Sequence, residues 1–202
     1  MRSHLLKISA LLLLCSLCAC QSTRHPESGS QSPATTAPEK KGFNAQTRNN
    51  ALALLDDLLG DEKNLSKILI IKHNSDELGQ LVKDISKTAG DNAKMLESLA
   101  KSQPGLNLKA TDLPPGEVAT RKAISKTKEQ LLLHSKDAEF EFQLLLTQVE
   151  AMNYGAHLAM VVADSETDPN ATREFLRLSA ELRDLRERVE AMLRQRSGRG
   201  RG

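Results

Sequence analysis

The sequence predicts an all-α protein, in which a helical bundle takes up most of the 202 residues. Apolar side chains recur at spacings of three and four in residues 75–101, 137–166 and 169–196, the period of a helix with one apolar face. Between residues 45 and 196, proline occurs only where a helix is expected to end or begin, at Pro104, Pro114, Pro115 and Pro169. These observations predict an up-and-down bundle of four long helical segments and one shorter helix.

The first long segment contains two apolar runs, Ala51–Leu59 and Leu65–Ile71. Gly60 and Asp61 lie between them, and this pair is expected to end one helix and cap the next. In the second long segment, Asn92 occupies a position in the apolar row. It has two interpretations: a buried amide that fixes the register of the helix, or an amide at the edge of the row that bonds to water.

The remaining helices have clearer ends. Residues 117–135 form the shorter, weakly amphipathic helix, and Asp168 is expected to cap a last helix that has Pro169 at its first position. Oppositely charged residues lie four apart in this last helix and stabilise it by a few tenths of a kcal/mol each. These pairs are Arg177 with Glu181, Arg183 with Glu187, Asp184 with Arg188, and Glu190 with Arg194.

The N-terminus has the organisation of an export signal: positive residues, then an apolar run too short to span a bilayer. The following residues, Leu17-Cys18-Ala19-Cys20, resemble the lipobox of bacterial lipoproteins. The resemblance implies that residues 1–19 are removed as a signal peptide and that Cys20 carries acyl chains. An ordinary secretory signal cut near Ala19 is the alternative. It would leave Cys20 as an unpaired thiol in an oxidising compartment.

The lipobox implies a protein anchored by lipid on the periplasmic or cell-surface side of a membrane. Gln21 follows the cysteine, where aspartate is associated with retention in the inner membrane, so the outer membrane is expected if the envelope has two. Residues 20–44 are rich in Ser, Thr and Pro and predict a flexible tether. Its typical reach is roughly 25–30 Å. The helical domain is expected over residues 45–196.

Charge and composition exclude some partners. Without Arg2 and Lys7, the chain has 26 basic and 26 acidic side chains and only five aromatic Phe and Tyr residues, so nucleic acid is not an expected partner. The C-terminal end is nevertheless basic, through Arg194, Arg196, Arg199 and Arg201. These arginines are candidates for contact with anionic lipid or an acidic partner, the alternative being a solvated Gly/Arg-rich tail over residues 197–202.

The chemistry of a metal or catalytic site is sparse. The sequence contains no Glu-x-x-His pair and no glycine-rich phosphate loop, and Cys20 is the last cysteine. Glu150 and His157 share one helical face with Asn153, and Glu139 is a further carboxylate on the same predicted helix. This face is either the solvated side of the helix or a candidate metal site. We expect no catalytic residues and no cofactor other than the lipid on Cys20.

Several segments between about residues 50 and 195 resemble the ferritin-like periplasmic bundles catalogued as bacterial domains of unknown function. They are Asp76-Glu-Leu-Gly-Gln-Leu-Val82, the loop Leu106–Pro114, Phe140-Glu-Phe-Gln-Leu-Leu-Leu146, and the helix that opens at Asp168-Pro169. The resemblance implies a ferritin-like bundle more than an activity.

Three functions follow as expectations. The first is a membrane-tethered, non-catalytic binding or structural module, with the bilayer and an envelope protein or anionic surface as partners. The second is a ferritin-like metal-binding protein that uses Glu139, Glu150 and His157. The third is an envelope stress protein or chaperone that offers its Arg-rich helix to clients, which an exposed concave apolar patch would favour.

Overall fold

The structure is a computed structural model that describes residues 44–70, 72, 74–109 and 112–199. Every regular element among these residues is helical, which confirms the predicted all-α class. The α-helices are α1 (Ala45–Glu62), α2 (Asp76–Ser102), α3 (Pro115–His134), α4 (Asp137–Ser165) and α5 (Pro169–Arg199), and a 3-10 helix covers Leu65–Ile70. The predicted signal peptide (residues 1–19), Cys20 and the tether up to residue 43 lie outside the described residues.

Four of the helices form a closed ring. Helix α1 packs against α2 and α4, and α5 completes the ring by contacting α4 and α2. Each neighbouring pair is antiparallel, because its contacts join the first half of one helix to the second half of the other. The bonds that fix these directions are Arg48 to Gly105 just after α2, Arg48 to Glu166 just after α4, Arg188 to Asp84, and Arg196 to Glu141.

Helix α3 lies outside the ring and packs against α4. It runs antiparallel to α4, since Arg121 donates to Tyr154 and Lys128 donates to Glu150 nearer the start of α4. Helices α2 and α4 run in the same direction, so the chain must return along the bundle between them. Helix α3 makes that return.

Helix α4 is the central helix of the bundle. It contacts α1, α3 and α5, and for that reason its apolar residues are spread around the helix instead of forming one stripe. Small residues allow its neighbours to approach closely: Ser179 of α5 donates to the carbonyl oxygen of Ala156 at 2.9 Å. A Cβ at Gly155 would lie 2.7 Å from a methyl carbon of Leu58 and 3.0 Å from one of Leu182.

The predicted helix break at Gly60 and Asp61 is wrong. Helix α1 continues through both residues to Glu62, and Asn64 then donates to the Gly60 carbonyl oxygen. A glycine within a helix costs only about 1 kcal/mol. Leu58, Leu59 and Glu62 around this glycine are all buried, and their packing outweighs that cost.

The other boundaries lie close to those predicted. Asp168 caps α5, since its carboxylate accepts from the backbone N–H groups of Asn170 and Ala171 at 3.1 and 3.3 Å. At its other end, α5 continues to Arg199, beyond the predicted end of the helical domain at residue 196. Ser75 caps α2 through a hydrogen bond from the Leu78 N–H group.

Candidate functional site

The candidate metal ligands on α4 are not brought together. Glu139 is exposed, Glu150 accepts from Lys128 Nζ at 2.6 Å, and Nδ1 of His157 lies 2.8 Å from its own helix's Asn153 carbonyl oxygen. At 1.5 Å per residue, Glu139 and Glu150 are about 16 Å apart along α4, and His157 lies about 10 Å further on. Among the described residues, no three His, Cys, Asp or Glu side chains are grouped so that they could hold a metal ion.

The contact between α2 and α5 is the loosest in the ring. Long polar side chains bridge it. Arg188 donates to Asp84 at 2.5 Å and holds the pKa of that carboxyl below its usual range. Nearer the other end, Gln103 after α2 donates to Asp168 at 2.7 Å.

Asn92 belongs to this α2–α5 seam. It is 2 % exposed, and its amide nitrogen donates to the Thr88 carbonyl oxygen at 2.9 Å and to Glu181 at 3.0 Å. Its amide oxygen accepts from Arg177 at 3.2 Å. Of the two interpretations of Asn92, the structure supports the buried amide that links two helices.

An open groove of about 730 Å³ follows the same seam, between the first half of α2 and the last turns of α5. Leu81 is buried at its base and Met192 is partly buried, whereas Glu77 and Arg188 carry charge at its rim. Gln80, Ala191 and Gln195 complete the lining. The groove thus combines an apolar floor with charged edges, a composition suited to contact with another macromolecule.

The C-terminal arginines differ in their surroundings. Arg194 is exposed and its guanidinium lies 3.5 Å from Glu190. Arg196 forms an ion pair with the buried Glu141 of α4 and donates to the Ser75 hydroxyl at 2.6 Å. Arg196 is therefore used within the fold, where it joins the ends of α2, α4 and α5. The Arg199 side chain and Arg201 lie outside what the structure describes.

The last turn of α1 contains acidic residues that sequence reasoning missed. Glu62 is 4 % exposed, and burial raises the pKa of its carboxyl to about 8. A side-chain hydrogen bond with Gln148 acts against this rise, and the neighbouring Asp61 adds to it. Burial and the neighbouring Asp57 raise the pKa of Asp61 to about 7. The only sequence sign of this feature was position: Glu62 lies three and four residues after Leu59 and Leu58, on the face that the apolar run buries.

A few large apolar side chains are exposed near the beginning of α4. Phe142 and Leu146 are one turn apart on α4 and about 38 % exposed, and Leu131 and Leu133 at the end of α3 have similar exposure. Val118, Leu176 and Ile70 are exposed elsewhere. None of the described helices is both long enough and apolar enough to cross a membrane.

Comparison with known proteins gives no further assignment: the chain matches no protein-family model, no curated protein and no solved structure. The functional argument therefore rests on the chain's own residues.

Proposed function

We propose that this protein is a lipid-anchored, non-catalytic helical interaction module on the periplasmic or cell-surface side of a membrane. The observation that carries the proposal is the lipobox, Leu17 to Cys20, followed by a Ser/Thr/Pro-rich stretch and then by the helical domain. Acylation of Cys20 supplies the contact with the bilayer. With Gln21 after the cysteine, the outer membrane is the expected location in an envelope with two membranes.

The helical domain suggests where a partner would bind. Helix α1 begins beside the start of α5, as the contact between Arg48 and Glu166 shows, and the 31 residues of α5 extend about 45 Å to its far end. The tether therefore joins the bundle at one end, whereas the α2–α5 groove and Arg194 lie toward the other. In the proposal, this far end contacts an envelope protein or an anionic surface.

We also propose that the bundle is ferritin-like in architecture. The support is the ring of four antiparallel neighbours with a single long return, which α3 makes, between its two helical pairs. The carboxylate and histidine ligands of a di-metal centre are not grouped among the described residues, so the metal-binding alternative gains no support from the side chains.

The apolar floor of the α2–α5 groove is the one observation that favours a client-binding chaperone as second candidate.

The anchor is tested by metabolic labelling with an alkyne analogue of palmitate in a bacterial host, followed by membrane fractionation. The full chain should take up the label and sediment with membranes, and Cys20→Ser should abolish both, because the acylated sulfur is removed. Cys18→Ser is the matched control, since it alters a neighbouring cysteine inside the predicted signal and should leave labelling unchanged. Label retained by Cys20→Ser, or wild-type protein in the soluble fraction, would refute the proposal.

A further inference from the structure

Two side-chain oxygen atoms at the contact between α1 and α4 have no hydrogen-bond partner when Glu62 is ionised. They are Oε2 of Glu62 and Oε1 of Gln148, both buried. The Gln148 side chain acts on Glu62 as a hydrogen-bond partner that lowers the pKa of the carboxyl, against the larger effect of burial. Both residues are almost completely inaccessible, at 4 % and 3 % exposure. Unpartnered polar atoms are rare in protein interiors and destabilise the fold.

A neutral carboxylic acid removes both defects at once. Protonated Glu62 has one O–H donor, and a carboxamide offers one acceptor oxygen beside its N–H donors. If Glu62 donates from Oε2 to Oε1 of Gln148, each unpartnered atom becomes the partner of the other. An ionised Glu62 could only accept, and the Gln148 oxygen would stay unsatisfied.

The charges around Glu62 also favour the neutral acid. On α1, Asp61 is the charged group that acts on it, and Asp57 lies one turn before. On α4 the group that faces it is the uncharged Gln148. Glu97 of α2, Lys63 and Lys109 act on Asp56, earlier in α1, and no Lys or Arg among the described residues acts on Glu62. An ionised Glu62 would thus be a buried carboxylate without a counter-ion, which destabilises the folded state.

We propose that Glu62 and Gln148 form a proton-dependent contact between α1 and α4, in which Glu62 is a neutral acid that pairs with the Gln148 carboxamide. Loss of this proton at alkaline pH leaves an unpaired charge in the interior and loosens the end of α1. The bundle is then most stable in mildly acidic surroundings. This inference does not depend on the lipid anchor or on any partner.

The direction in which stability changes with pH follows from the protonation of Glu62 in the folded protein and in the unfolded chain. The pKa of the Glu62 carboxyl is near its ordinary value of 4.5 in the unfolded chain and about 8 in the folded protein. Between these values the unfolded chain is ionised and the folded one is protonated, so unfolding releases a proton. The unfolding equilibrium constant therefore rises about tenfold for each pH unit between about 5 and 8, and levels off above. The pKa of the Asp61 carboxyl is raised from 3.8 to about 7, so Asp61 adds a rise of the same sign to the unfolding equilibrium constant at lower pH.

Urea unfolding between pH 5 and 9 tests the proposal. Glu62→Gln should fold, because two carboxamides form the same paired arrangement. Its unfolding equilibrium constant should rise about tenfold less per pH unit than that of the wild type. Glu139→Gln, which changes an exposed glutamate on α4, should keep that slope. Equal slopes for Glu62→Gln and wild type would overturn the proposal.

A second measurement does not require the variant to fold. In wild-type protein labelled with ¹³C-glutamate, the carboxyl carbon of Glu62 should keep the chemical shift of a protonated acid through neutral pH. A midpoint near the ordinary value of 4.5 would overturn the proposal even if Glu62→Gln were unfolded.

Discussion

At the scale of the residue, single positions in α4 decide how closely the helices approach. Gly155 lies where α1, α4 and α5 meet, and Leu58 and Leu182 fill the space that a side chain would need. Gly60 is also helical, but no packing atom beyond its chain neighbours and the adjoining helical backbone lies within 4 Å of the position a Cβ would take there. The same residue type therefore has a packing role at one position and only a conformational cost at the other.

We predict opposite effects of alanine at the two glycines. Gly155→Ala should destabilise the protein by about 1 kcal/mol, because overpacking of about 1–3 kcal/mol exceeds the gain in helix propensity. Gly60→Ala should stabilise it by about 0.5–1 kcal/mol, because only that gain applies. Urea denaturation of both variants measures the difference. Stabilisation of both to the same extent would show that the leucine methyl groups yield without cost.

The sequence identified some of these residues by type but not by role. Asn92 stood out because an amide interrupts an apolar row, yet its partners Arg177 and Glu181 are 85 and 89 residues away in the chain. Glu62 did not stand out, because a glutamate at the end of a helix usually reaches water. Burial is a property of the tertiary packing, and the local pattern around Glu62 does not define the partner Gln148.

At the scale of the element, the period of apolar residues was enough to predict α2, α4 and α5 nearly to their ends. That period depends on which residues share a helical face, and it is local. The break proposed at Gly60 failed because burial of Leu58, Leu59 and Glu62 outweighs the low helix propensity of glycine. Arg188 was predicted to pair with Asp184 four residues before it, but the structure places it on Asp84 of α2.

The end of α5 shows the difference between an internal and a surface charge. Glu141 is 8 % exposed and accepts from the Ser75 backbone N–H group at 2.6 Å, and Arg196 supplies its counter-charge. Arg194, two residues earlier, pairs with Glu190 on the surface. A buried pair that loses one member leaves an uncompensated charge, whereas an exposed pair contributes little.

We predict that Arg196→Ala lowers the free energy of unfolding by about 3 kcal/mol, because Glu141 keeps its burial and loses the guanidinium. Arg194→Ala, with the same change of side chain and net charge, should change it by less than about 0.5 kcal/mol. Both values come from urea unfolding at pH 7. Equal effects of the two substitutions would mean that the Arg196–Glu141 pair contributes no more than a surface one.

At the scale of the whole molecule, the ring and the outer helix differ in how firmly they are held. Helices α1, α2, α4 and α5 each contribute several buried apolar side chains to one continuous core. Helix α3 buries only Arg121 and Leu132. Two polar contacts join it to α4: Arg121 donates to Tyr154 at 2.8 Å, and Lys128 pairs with Glu150.

This contrast predicts the order in which parts of the molecule open. Backbone amides of α3 should exchange with deuterium by local opening, well before the amides of α4 and α5, which should require global unfolding. Loss of α3 from α4 leaves the four-helix ring intact, because the ring closes through α1, α2, α4 and α5 alone. Exchange measured by mass spectrometry on peptides from residues 115–134 and 144–163 distinguishes the two regions.

Arg121→Ala should speed exchange in α3 selectively, because it removes both the hydrogen bond and the cation–π contact between α3 and Tyr154. Lys122→Ala, on the exposed side of the same helix, is the matched control and should leave exchange unchanged. Protection of α3 equal to that of α4 in the wild type would contradict the argument. It would mean that the outer helix and the ring unfold as one cooperative unit, so that few buried side chains suffice to couple them.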